Sequence, residues 1–186
     1  MPVSRFVREH DRASRPLLLV NGAVGHFTDD PASWKLEALL QRLGKQDFRC
    51  VAQSMDDARG CVRVTLQDYV HYMRCGQDED ALYLFDHVLP PGLVALCKCM
   101  PYFEEDFLAD LSRQGTSSVS DSSDVWPDML TERQWLVIGP AGSGSKIHFD
   151  PYATSAYNVL LHGPNSGGFP AYQGRYGRSK ASIQTR

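Results

Sequence analysis

Three short strand-like segments follow one another closely in the last third of the chain, Gln134 to Gly139, Lys146 to Phe149 and Ala156 to Leu161, and they limit the architectures open to it. Each has the length and composition of a strand, and glycine-rich turn residues lie between the first two. Strands so closely spaced fit an antiparallel sheet or barrel. The preceding 130 residues read differently. Leu17 to Val20 before Asn21-Gly22 predicts a strand and a turn. Asp30 and Pro31 open a helix with Leu36, Leu39, Leu40 and Leu43 on one face and Gly44 at its end. Phe48 to Ala52 predicts a strand. Thr65 to Asp68 caps a second helix with Tyr69, Val70 and Met73 on its apolar face, ending at Gly76. Ala81 to Asp86 reads as a strand and Tyr102 to Arg113 as a third helix. The expected fold class is therefore α+β, mainly β, with a helical N-terminal elaboration packed on a sheet.

The chain has 186 residues, enough for one domain with a real core. Its 42% apolar and 22% charged content excludes wholesale disorder. No apolar run exceeds five residues, against roughly 20 for a bilayer span, so no membrane partner is expected. The early arginines are interrupted by Glu9 and Asp11, unlike a transit peptide. Five cysteines, an odd and scattered set that includes Cys97-Lys98-Cys99, suit reduced thiols in an intracellular compartment. Net charge is −3, so no whole-protein field draws the chain to nucleic acid. The last 23 residues, Pro164 to Arg186, hold four basic residues and no acid, leaving 15 basic against 22 acidic before them, a net of −7. Domain 1–163 is thus followed by a Gly-rich basic tail, 164–186, whose composition predicts disorder, and Gly115 to Asp124 reads as a mobile Ser/Asp insert.

Gly139 and Gly144 have the separation of a phosphate-binding loop, but that motif needs Lys at 145 followed by Ser or Thr and then a helix. Ser145, Lys146 and Ile147 stand there instead, ahead of a strand. His148-Phe149-Asp150 is the more informative triplet, because period-2 geometry puts an imidazole and a carboxylate on one strand face. That pair supplies two ligands of the two-His, one-carboxylate arrangement that holds Fe(II) with open positions.

The stretch from Trp135 through His148-Phe-Asp150 and Thr154-Ser-Ala-Tyr-Asn158 to Gly163 resembles the metal-binding core of the Jumonji-C (JmjC) oxygenases, most of all the nuclear lysyl-hydroxylase and phosphatidylserine-receptor-like subgroup. Pro16, Asn21-Gly22, Asp68-Tyr69 with Tyr72, Leu82-Tyr83-Leu84-Phe85-Asp86 and Pro101-Tyr102-Phe103 extend the likeness, which covers roughly residues 6 to 163. The resemblance implies a double-stranded β-helix of jelly-roll, cupin-like type. It also implies Fe(II) and 2-oxoglutarate as cofactor and co-substrate, and a dioxygenase that hydroxylates protein side chains or removes N-methyl groups. By the same resemblance His148 and Asp150 are metal ligands, and Tyr83, Ser145 and Asn158 surround 2-oxoglutarate. A protein substrate, such as a histone or an RNA-associated protein, follows from it too, and it adds the nucleus to the cytoplasm as an intracellular location open to the chain.

Two features depart from the family. Asn165 stands where a lysine pairs with the far carboxylate of 2-oxoglutarate, and the family's third iron ligand, a later histidine, has no counterpart before Arg186. His162, His10, His26, His71 and His87 are poorly placed to replace it. The sequence reading is accordingly an incomplete barrel altered after Gly163, with a catalytically inactive binding or regulatory fragment as the alternative and a zinc cupin a distant third. Tyr172 and Tyr176 among Arg175 and Arg178 offer stacking groups for RNA, but direct nucleic-acid binding is not expected.

Overall fold

The computed structural model describes residues 1–19, 23–52, 54, 60–76, 78–104, 134–145 and 155–161, together with the backbone of 178–185. A six-stranded open sheet, in the order β2-β1-β3-β4-β6-β5, carries helices on one face. Its strands are β1 (Asp47–Val51), β2 (Val62–Thr65), β3 (Tyr83–Asp86), β4 (Gln134–Ile138), β5 (Ser155–Leu160) and β6 (Arg178–Thr185). The first four in spatial order pair antiparallel. β6 then lies between β4 and β5, parallel to both. Among the described residues the sheet does not close into a barrel.

The helices are α1 (Val3–Phe6), continued by a π-helical turn Val7–Asp11, then α2 (Ala23–Phe27), α3 (Leu36–Leu43), α4 (Leu66–Cys75) and α5 (Pro91–Val94). None of the described helices is long and apolar enough to cross a membrane. Asp30 caps as the sequence predicts, accepting from the Ser33 N–H at 3.2 Å, but what it opens is a 3₁₀ turn, Pro31–Trp34. Lys35 is extended, with ψ 144°, so α3 starts afresh at Leu36 and ends at Gly44. α4 matches its forecast closely. Thr65 Oγ1 accepts from the Asp68 N–H at 3.1 Å, and Gly76 ends the helix with its N–H on the Tyr72 carbonyl.

Strand alternation divides the sheet into two faces. Phe48, Cys50, Leu84, Leu136, Ile138 and Val159 point into the main core, where Phe27, Trp34, Leu39, Leu66, Tyr69, Val70, Leu93 and Met100 cover them. Val51, Tyr83 and Val137 form a smaller cluster on the other face, with Phe85 against it.

Several expectations change. Leu17–Leu19 has no regular structure and Leu18 is 79% exposed, because β-propensity without a partner strand makes no ladder. The third helix is represented in the described residues by a 3₁₀ turn, Pro101–Phe103, while 105–113 and the insert 115–124 lie outside them. Besides β6, four elements escape the periodicity reading: α1 with its π turn, the short helices α2 and α5, and the four-residue β2. The basic tail, read as unable to order itself, supplies the backbone of β6. Ladder hydrogen bonds come from the main chain, so a segment poor in core side chains still pairs once two neighbours flank it.

Candidate functional site

Tyr83 begins β3, pairs with Val51 of β1, and is buried on the face opposite the helices. Its ring meets Phe85 at 5.9 Å, and Phe85 stacks on Trp135 at 4.4 Å and 20°. His87 approaches Trp135 edge-on at 4.9 Å. Arg49, next to Phe85 across the β1–β3 ladder, donates from Nη1 to the Phe85 carbonyl at 3.4 Å. An aromatic row thus runs from Tyr83 to His87 along the sheet face that carries no helix among the described residues.

Asn158 lies on that same face. The register pairs Ser182 of β6 with Trp135 on one side and with Asn158 on the other, while Val159, the next residue, is buried in the helix-covered core. Asn158 is exposed. Two polar residues nominated from separate parts of the sequence therefore share one sheet face, Tyr83 at one end of the aromatic row and Asn158 across β6 from Trp135.

Ser145 is exposed at the end of the loop that leaves β4. Ser143 ties that loop back, its hydroxyl donating to the Pro140 carbonyl at 2.8 Å, and Gly142 at φ +83° allows the turn. Gly139 is where the loop meets Tyr83. A Cβ there would overlap the Ser143 hydroxyl and come within 3.1 Å of Tyr83 Cβ.

His148 and Asp150, the candidate metal ligands, lie outside the described residues, as do His162 and Asn165. Among the described residues no group of three His, Cys, Asp or Glu side chains could hold a metal ion, which leaves His10, His26, His71 and His87 without such a cluster.

Support for the face comes from behind it. The Tyr69 hydroxyl on α4 donates to the Ile138 carbonyl at 2.7 Å, with the Leu82 carbonyl 3.2 Å away, and burial pushes its phenol well above the ordinary range. Asp86, 0% exposed, accepts from the Arg49 N–H at 2.8 Å and the Val88 N–H at 2.9 Å, and pairs with Arg63 at 3.5 Å. On β5, Tyr157 stacks flat on Phe103 at 4.2 Å and 2°, and burial pushes its phenol up to about 12. Sequence reasoning gave none of these a role. An acid closing an apolar strand, Leu82 to Asp86, is the one signal that could have marked Asp86.

No protein-family model matches the chain. Individual relatives do. Lysine-specific demethylase JMJ21 of Arabidopsis thaliana is 31% identical over 166 residues, 87% of this chain and 15% of that protein. Bifunctional arginine demethylase and lysyl-hydroxylase psr-1 of Caenorhabditis briggsae is 31% identical over 171 residues, 87% of this chain and 37% of that protein. The chain is related to the JmjC demethylases and lysyl-hydroxylases. A third JmjC relative, arginine-specific demethylase JMJ22 of Arabidopsis thaliana, is 30% identical over 87% of the chain and 28% of its own length. The chain spans well under half the length of these curated relatives.

Proposed function

We propose that the chain is a JmjC protein oxygenase dependent on Fe(II) and 2-oxoglutarate, with the helix-free sheet face as the wall of its co-substrate site. The observation that carries this reading is the placement of Tyr83 and Asn158, 75 positions apart in sequence, on one sheet face, with Tyr83 against the loop that leaves β4. In this reading His148 and Asp150 hold the metal through a neutral imidazole and a carboxylate, a donor pair suited to Fe(II). The bound metal and 2-oxoglutarate supply the oxidising chemistry: O₂ and 2-oxoglutarate give succinate and CO₂ while a substrate C–H becomes C–OH. On an N-methyl group the hydroxylated carbon leaves as formaldehyde, and on a lysyl carbon the hydroxyl stays. Tyr83, packed between Val51 and Val137, offers an orienting phenol in an apolar wall, and Asn158 an amide able to donate and accept. The substrate class is a protein side chain, lysyl or N-methylated, on a partner such as a histone or an RNA-associated protein. Five free thiols suit an intracellular setting, and the resemblance favours the nucleus.

Succinate release from 2-oxoglutarate by the whole chain, under Fe(II) and air, tests the proposal beside His148→Ala. Release lost in the variant supports it. Asn165, in place of a carboxylate-pairing lysine, favours a second reading, a non-catalytic binding module. Tight binding of a partner protein with no succinate from a folded sample would establish that reading and reject the oxygenase.

A further inference from the structure

Among the described residues β5 is an edge strand, paired with β6 alone, so its placement there depends on what its side chains meet above and below the sheet. Tyr157 and Asn158 are consecutive and point to opposite faces. Whatever fixes Tyr157 also sets the height and rotation of Asn158. Tyr157 lies flat on Phe103, ring centroids 4.2 Å apart and 2° from parallel. Phe103 is itself held from behind. It closes the turn opened by Pro101, its N–H on the Met100 carbonyl at 2.8 Å, and Phe6 of α1 meets its ring edge-on at 5.6 Å and 85°. Phe6 is buried and also packs on Tyr102 at 5.1 Å, whose hydroxyl donates to the Met1 carbonyl at 2.8 Å. A continuous aromatic path therefore joins the first helix to the strand that carries Asn158.

We infer that Tyr157, braced through Phe103 by Phe6, is the positioning residue for Asn158. This rests on the reading of Asn158 as a co-substrate contact, and it gives the N-terminal helix a task at a site it does not touch. Burial that keeps the Tyr157 phenol neutral up to about 12 agrees with a ring held firmly in its stack.

Amide hydrogen exchange on the full chain tests the brace directly. Phe6→Ala and Phe103→Leu are expected to speed exchange at 156–160 about five- to tenfold, while Leu84 and Leu136 in the sheet centre keep their rates. Tyr157→Phe, which keeps the stack, should match the parent. Unchanged exchange in β5, or equal acceleration across the sheet, would overturn the proposal, the second by showing only general loss of core. Titration with 2-oxoglutarate and Mn(II), without turnover, separates the functional layer. Phe103→Leu should weaken binding about as much as it loosens β5, and Tyr157→Phe should not. Failure of the parent chain to bind 2-oxoglutarate would defeat the oxygenase reading while the exchange pattern still decides the brace, and normal binding by Phe103→Leu with a loosened β5 would overturn the positioning role.

Discussion

Removing one hydroxyl should reveal how firmly the helical layer is latched to the sheet. Tyr69 and Ile138 are both buried, at 1% and 0% exposure, and the phenol donates to the Ile138 carbonyl at 2.7 Å. Tyr69→Phe keeps the ring and its packing against Leu66 and Leu84, so the change isolates the hydrogen bond. A net bond of this kind contributes about 1 kcal/mol, and a carbonyl left buried with no other donor raises the loss to about 3. For a chain of this size each kcal/mol moves the melting temperature by roughly 2–4 °C, so a fall of about 2–12 °C is expected. Tyr72→Phe is the internal control. Its hydroxyl donates to Asp78 at 2.7 Å and accepts the Leu82 N–H at 2.9 Å in a more open setting, where water can replace it, and it should cost less. Urea titration with a constant slope would confirm that stability alone has changed. A Tyr69→Phe protein within 1 °C of the parent, or less affected than Tyr72→Phe, would refute the latch.

Other tests follow the same logic. Asp86→Ala strips the acceptor from the Arg49 and Val88 N–H groups and should cost about 3–5 kcal/mol, whereas Arg63→Ala, at a half-exposed partner 3.5 Å away, should cost under about 1, both read by thermal melts. Gly139→Ala should displace the Ser143 hydroxyl from the Pro140 carbonyl at about 1 kcal/mol, and a double-mutant cycle with Ser143→Ala should recover part of that loss. Burial pushes the Cys50 thiol up to about 12 from an ordinary 9.0, so the folded chain holds this proton longer than the unfolded one. Its contribution is intact below pH 9 and is lost as pH rises towards 12, at about 1.4 kcal/mol per unit, which denaturant titrations at pH 8 and 10 would detect. Exposed Cys61, Cys75 and Cys99 should react with a thiol reagent at pH 8 while Cys50 waits for unfolding.

Much of this architecture was legible in the sequence because it is written in local chemistry. The Thr65 cap, the Gly76 stop and the leucine stripe of α3 are interactions over three or four residues, and they appear where the spacing places them. The strands β1, β3, β4 and β5 were likewise readable from β-branched and aromatic runs. Pairing was not. Nothing local says that β6 inserts parallel between β4 and β5, or that Leu17–Leu19, a better strand by composition than Val62–Thr65, pairs with no strand among the described residues. The α3 region shows a middle case: Asp30 caps as expected, but extended Lys35 splits the helix after one turn. For the site, the resemblance nominated Tyr83, Asn158 and Ser145. That Tyr83 and Asn158 share a sheet face required the register, and the braces behind it, Tyr69, Asp86 and Phe103, are long-range contacts with no signature in spacing.

The division of the sheet into a helix-backed side and a helix-free side has a consequence for how such a chain can change over generations. Leu84, Leu136 and Ile138 each touch the packed core, so substitutions there are filtered by stability before any activity is at stake. Asn158, exposed, and Phe85, half-buried, stand on the other side of the same sheet, where a new side chain alters the proposed co-substrate wall and leaves the helix contacts in place. One layer of backbone thus separates two kinds of selection, and a lineage can explore new chemistry on one side while the other keeps it folded.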